Sequence, residues 1–102
     1  MRLLIDTTEP GRLKFEVNNQ RLDKLVNGLS ENLLPQLKRF LKTHQVKLRD
    51  LKKIVVNPGP GGFSSTRTGV VAANALAYAL GIPKQNVLPR YDKAPNITKP
   101  KK

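Results

Sequence analysis

In RLKFEV, residues 12–17, Leu13, Phe15 and Val17 alternate with Arg12, Lys14 and Glu16. A period of two is that of an extended chain with one face in a core and the other in water, so the segment reads as a strand. Before it, RLLIDTT at residues 2–8 reads as a buried strand ending in hydroxyls, and EPG supplies turn chemistry. NNQ at 18–20 turns the chain, and RLDKLV at 21–26 returns as the antiparallel partner of a hairpin. The period then changes. Leu33, Leu34, Leu37, Phe40 and Leu41 recur at helical spacing, with Lys38, Arg39 and Lys42 outside the apolar stripe. Ser30 is the expected cap of this helix, Glu31 suits its positive first turn, and Pro35 is tolerated where early backbone donors are free. QVKLRDL at 45–51 leads into a fourth strand, KKIVVN at 52–57. The loop VNPGPGGFSSTRTG at 56–69 follows, and Ser64 or Ser65 is expected to cap a second helix running to Leu80, where Gly81 and Pro83 stop it. NVLPRY at 86–91 reads as a fifth strand, with Pro89 at an edge or near its end.

The order β-β-β-α-β-α-β predicts an α/β fold: a mixed five-stranded sheet with two helices on one face. It is the topology of the RNase H-like lobe of actin-like ATPases. At 102 residues only one core can be built, so residues 1–91 are read as a single lobe and residues 92–102 as a basic, flexible tail. There is no Cys and a single His44, which excludes a disulfide framework and a thiolate or His-rich metal site. No apolar run reaches the length of a secretory leader or a membrane span, so a soluble, cytoplasmic protein without membrane contact is expected.

Nineteen Lys and Arg against seven Asp and Glu give a net charge of +12, which calls for a polyanion or an acidic protein surface as partner. Part of it lies in the tail. The denser cluster is Lys38, Arg39, Lys42, Lys47, Arg49, Lys52 and Lys53, a candidate nucleic-acid surface or simply a solvated helix face.

Glycine-rich junctions of strand and helix often cradle phosphates, but this loop has Phe63, Ser64 and Ser65 where a Walker loop needs Lys followed by Ser or Thr. It also fails the dinucleotide fingerprint. What remains is a generic anion site at a helix start, with Gly61, Gly62, Ser64, Ser65 and Arg67 as candidates. The plainer reading is a tight corner with Phe63 plugging the core. The second helix offers Gly69, Ala72, Ala73, Ala75, Ala77 and Ala79. One side packs on the sheet through Val70, Leu76 and Leu80 or their neighbours, and a second small-residue side suits close approach of another helix. Two converging carboxylates for a metal nuclease are incomplete: Asp6 ends the first strand and Glu31 lies in the first helix, but the fourth strand ends in Asn57. His44 has no nucleophile to serve, so no catalytic residue, metal or cofactor is expected.

These segments resemble the TsaB (YeaZ) family, the dimerisation subunit of the bacterial machinery that makes threonylcarbamoyladenosine in tRNA. The resemblance is carried by LLIDTT at 3–8, LSENLLPQLKRFL at 29–41, LRDLKKIVV at 48–56 and GPGGFSSTRTGVVAANALAYALGIP at 59–83. The last block mirrors the family's G-P-G-S-F-T-G-x-R-x-G, its alanine-rich helix and its L-x-I-P ending. Gly62 stands for the usual Ser, and Ser64, Ser65 and Thr66 for Thr, Gly and an apolar residue. The family has two lobes, and the H-x-x-x-H motif of the related catalytic subunit, TsaD, is absent from this sequence.

The resemblance implies a noncatalytic scaffold that binds a TsaD-type catalytic subunit through its first two helices, in a complex that also uses a TsaE-type ATPase. Leu33, Leu37, Phe40, Gly69, Val70, Ala73, Asn74 and Ala77 are the expected partner-binding residues, and a homodimer through the same helices is a second arrangement. A missing second lobe predicts a minimal one-lobe form whose other sheet face, with Arg12, Lys14 and Glu16, is exposed. The alternative is a small basic tRNA-binding module. A remnant ATPase using Asp6 and the glycine loop ranks below both.

Overall fold

The computed structural model describes residues 1–82. The expected fifth strand, Pro83 and the basic tail lie outside the described residues. Four strands and two helices follow in the order β1 (Arg2–Asp6), β2 (Arg12–Val17), β3 (Gln20–Leu25), α1 (Leu29–Thr43), β4 (Lys53–Val56) and α2 (Phe63–Ala79), with one turn of 3-10 helix at Leu48–Asp50. Among the described residues the sheet has four strands in the order β3-β2-β1-β4.

The register follows from the alternation. β1 pairs antiparallel with β2, setting Leu3 against Val17 and Ile5 against Phe15, and parallel with β4, setting Leu3 against Ile54 and Ile5 against Val56. All six side chains are buried on one face together with Leu13. A slip by one residue would turn this whole set to the other side. The β2–β3 hairpin places Leu22 opposite Phe15, and the Lys24 ammonium reaches the Gln36 side chain of α1 at 3.5 Å, so both helices lie over this face.

The helix stripes fill the space above. Leu33, Leu37, Phe40 and Leu41 of α1 are buried, and Phe40 meets Phe15 with ring centroids 5.8 Å apart. In α2 the buried positions are Ser65, Thr66, Gly69, Val70, Ala73 and Ala77, so its sheet-facing side is made of small residues. Leu76 and Leu80 pack only partly against the core.

Both helix starts differ from expectation. Gly28 precedes α1 at φ 93°, where the left-handed backbone favours glycine, and the Asn32 amide donates to the carbonyls of Asn27 and Gly28. Ser30 therefore sits within the first turn. Pro35 lies deeper than the free first-turn donors, inside α1, where its missing N–H denies the Glu31 carbonyl a helical partner. Both residues are exposed, so water can serve that carbonyl. Gly62 precedes α2 in extended conformation, which moves Ser64 and Ser65 into the helix, and Phe63 is 44% exposed rather than plugging the core.

The end of α2 follows the reading. Gly81 has φ 72°, its N–H donates to the Tyr78 carbonyl at 3.1 Å, and the Ile82 N–H donates to Ala77 at 2.8 Å. These two bonds close a Schellman motif. No helix among the described residues is long and apolar enough to cross a membrane.

The opposite sheet face carries ion pairs beside the aliphatic Leu4, Val55 and Leu25. Arg12 pairs with Asp23 at 2.6 Å and Glu9 at 3.3 Å, Lys14 with Glu9 at 3.8 Å, and Arg21 with Glu16 at 3.7 Å.

Candidate functional site

The glycine loop runs from the end of β4 to the start of α2 along the end of β1, and four hydrogen bonds set its entry. The Asn57 amide donates to Asp6 Oδ2 at 3.1 Å, while Asn57 Oδ1 accepts the Gly59 N–H at 3.1 Å. The other Asp6 oxygen, Oδ1, accepts the Thr8 N–H at 3.0 Å and the Thr8 hydroxyl at 2.7 Å. Partial burial of Asp6 works against its charge, but the hydrogen bonds from Thr8 and Asn57, with Lys14 nearby, outweigh it and hold the carboxyl below its ordinary pKa. Asp6 thus organises a strand end, and both its oxygens are engaged.

Close packing explains the glycines of the loop. A Cβ on Gly61 would lie 2.6 Å from the Thr8 carbonyl oxygen, and one on Gly69 would collide with the Thr7 hydroxyl. The Thr7 hydroxyl also donates to the Ser65 carbonyl at 2.6 Å, pinning α2 to the end of β1. The candidate anion-binding residues divide. Gly62, Ser64 and Ser65 line one cavity, with Pro10, Gly28 and Phe63 among its other walls. Gly61 is not part of that lining, and Arg67 lines a separate groove between α1 and α2.

That groove encloses about 500 Å³ and is bounded by Leu34 of α1 and by Arg67, Val71 and Ala75 of α2. Leu34 is 51% exposed, Val71 57% and Tyr78 88%. On α2, Arg67, Val71, Ala75 and Tyr78 succeed one another at intervals of three or four, a single exposed stripe. Of the expected partner-binding residues, Leu33, Leu37, Phe40, Gly69, Val70, Ala73 and Ala77 are buried in the chain's own core, and Asn74 is half-buried. The correction has a simple cause: the smallest residues of α2 let it lie close on the sheet, and the larger Val71 and Tyr78 face outward. No sequence signal singled out the outer stripe, since the seven-residue spacing of Val71 and Tyr78 is shared by the buried Val70 and Ala77.

The basic cluster is at the surface. Lys38, Arg39, Lys42, Lys47, Arg49, Lys52 and Lys53 are all exposed, and Lys38, Lys42 and Lys47 border one apolar hollow at the end of α1. Asp50 turns toward the backbone, accepting the Lys47 N–H at 3.2 Å. His44 ends α1 with its ring edge-on to Phe40, centroids 4.8 Å apart. No group of three or more His, Cys, Asp or Glu side chains placed to hold a metal occurs among the described residues.

Comparison with known proteins agrees with this architecture. The sequence model of the family described as TsaD, tRNA N6-adenosine threonylcarbamoyltransferase, matches residues 26–88. An uncharacterized protein of Mycobacterium tuberculosis is 33% identical over 92 residues, covering 83% of this chain and 44% of that protein. The tRNA threonylcarbamoyladenosine biosynthesis protein TsaB of Bacillus subtilis is 39% identical over 54 residues, covering 53% of this chain and 24% of that protein. Among solved structures, YeaZ from Pseudomonas aeruginosa superposes with a TM-score of 0.68 at 25% identity, over 80% of this chain and 40% of that one. The chain spans less than half the length of these relatives.

Proposed function

Since this chain belongs to the tRNA N6-adenosine threonylcarbamoyltransferase family and is a homologue of its TsaB/YeaZ proteins, we propose that it is a noncatalytic scaffold in tRNA threonylcarbamoyladenosine formation, docking a TsaD-type catalytic subunit. The observation that carries this reading is the outer face of the α1–α2 pair. Leu34 and Val71 are exposed along a groove that the small Ala72 and Ala75 also line, and Tyr78 is exposed further along the same stripe of α2. Apolar side chains left in water at helical spacing gain most when another helix covers them, each contributing up to about 1.5–3 kcal/mol on full burial. The small residue between them lets a second backbone come close. A helix pair from the catalytic subunit would complete a four-helix bundle, and a second copy of this chain could occupy the same face before that subunit arrives. A TsaE-type ATPase would join the assembled pair.

The catalytic work falls to the partner in this reading. Asp6, the acid at the end of β1, is held by Thr8 and Asn57 and serves the loop corner. The test is light scattering coupled to size exclusion on the chain alone and mixed with the catalytic subunit of the same organism. A species whose mass is the sum of the two chains supports the scaffold, and two separate peaks at micromolar concentration reject it.

A tRNA contact is the second reading, favoured by the exposure of all seven cations between Lys38 and Lys53. Such a surface would hold the phosphate backbone of the substrate without reading its bases.

A further inference from the structure

The apolar hollow at the C-terminal end of α1 lies apart from the groove assigned to a protein partner. It encloses about 430 Å³, is lined by Leu41, Val46 and Leu48, and shares no lining residue with the outer groove. The way the chain leaves the helix creates it. The Val46 N–H donates to the Leu41 carbonyl at 2.8 Å and the Gln45 N–H to Lys42 at 3.1 Å, the two bonds of a Schellman motif. Gln45 takes the left-handed position at φ 59°, where glycine is the usual residue. The motif returns Val46 to the level of Leu41, and the 3-10 turn that follows starts at Leu48, which is left 37% exposed.

The charge around this hollow is of one sign. Lys38, Lys42 and Lys47 border it, and no carboxylate among the described residues lines it. The ion pairs among the described residues are made by Arg12, Lys14 and Arg21 on the other face of the sheet, so none of the three bordering lysines has one. Asp50 accepts the Lys47 N–H instead of meeting an ammonium. The lysine stems extend the apolar wall while their heads stay in water. An occupant that suits this hollow is apolar at its centre and negative at its edges. The chain itself offers nothing of that kind: residues 83–102 carry Lys84, Arg90, Lys93, Lys99, Lys101 and Lys102 against Asp92 alone. A second copy would bring a further net charge of +12. RNA would neutralise the lysines but leave the apolar floor uncovered, and no aromatic side chain lines the hollow for a base to stack on.

We infer that this hollow docks an acidic segment of a partner protein, which lays a leucine or similar apolar side chain over Leu41, Val46 and Leu48 and pairs its carboxylates with Lys38, Lys42 and Lys47. Covering the apolar floor supplies affinity, and the lysines steer the segment and fix its orientation. The site does not depend on the scaffold reading, whose face is the groove between α1 and α2. It competes with the tRNA reading for the same three lysines.

The test is chemical-shift titration of the full chain, at constant low ionic strength, with a synthetic peptide that carries three glutamates on either side of a central leucine pair. Saturable shifts centred on Leu41, Val46 and Leu48 support the proposal. The same peptide with serines in place of the leucines is expected to bind about tenfold more weakly or worse. With glutamines in place of the glutamates the loss is expected to be about fivefold or more. Leu48→Ser is expected to weaken the leucine peptide about fivefold and leave the serine peptide unchanged, a coupling that a purely electrostatic contact does not produce. Lys42→Glu, at an exposed position, should weaken both peptides, whereas Arg39→Gln, outside the lining, should weaken neither. Shifts that do not saturate, a serine peptide that binds as tightly as the leucine one, or the same shifts produced by tRNA and not by the leucine peptide would overturn it.

Discussion

The Thr7 hydroxyl donates to the Ser65 carbonyl at 2.6 Å across 58 positions of sequence, and Gly69 passes over the same hydroxyl one turn further along α2. The end of β1 and the start of α2 are therefore fitted to each other through one side chain. Gly69→Ala gains about 1 kcal/mol of helix propensity, but its Cβ would enter the space of Thr7 Oγ1. We expect net destabilisation of about 1–3 kcal/mol by urea unfolding. Thr7→Ala should make Gly69→Ala less harmful, a non-additivity that a double-mutant cycle detects.

Asp6 contributes to the acid limb of stability. Its folded pKa is lowered, so its contribution is fully present above the unfolded value of about 3.9 and is lost as pH falls through the lower folded value. Asp6→Asn should lower stability at neutral pH by about 1–3 kcal/mol. It should also flatten part of the loss seen on acidification, measured by urea unfolding at pH 7 and at successively lower pH.

Two neighbouring alanines should behave oppositely. Ala73 is fully buried against the sheet, whereas Ala75 is exposed on the outer stripe. Ala73→Glu puts an unpaired carboxylate in the core and is expected to unfold the chain. Ala75→Glu should leave stability within about 0.5 kcal/mol. Circular dichroism during thermal unfolding separates the two.

If the cations between Lys38 and Lys53 hold tRNA, affinity must fall steeply with salt. Replacing Lys38, Lys42 and Lys47 by Gln should reduce the slope of log K against log salt by about 0.7–0.9 for each phosphate that is no longer neutralised. Filter binding across a salt series measures it, and a salt-insensitive affinity contradicts an electrostatic contact.

Much of this architecture was legible from periodicity. The alternation through Leu13, Phe15 and Val17 and the stripe from Leu33 to Leu41 each point to one face, because apolar and charged residues are cleanly separated there. In α2 apolar or small residues lie on every side, so Ala73 and Ala77 could not be told from Ala75 until the helix had been laid on the sheet. Helix starts were obscured for another reason. Gly28 and Gly62 precede the helices without any side-chain cap, whereas the serines that look like caps lie two or three residues later. The Asp6–Asn57 contact joins residues 51 positions apart and leaves no local pattern to read.

If the chain is the scaffold proposed above, it docks the catalytic subunit through the outer face of α1 and α2. Calorimetric titration of that subunit into the parent chain, Leu34→Glu, Ala75→Glu and the open-sheet control Arg21→Glu decides whether it does. We predict binding by the parent and by Arg21→Glu, and a loss of at least about thirtyfold in the two helix variants, consistent with hot-spot losses of 2 kcal/mol or more. Helix variants that remain folded and bind as tightly as the parent would contradict it.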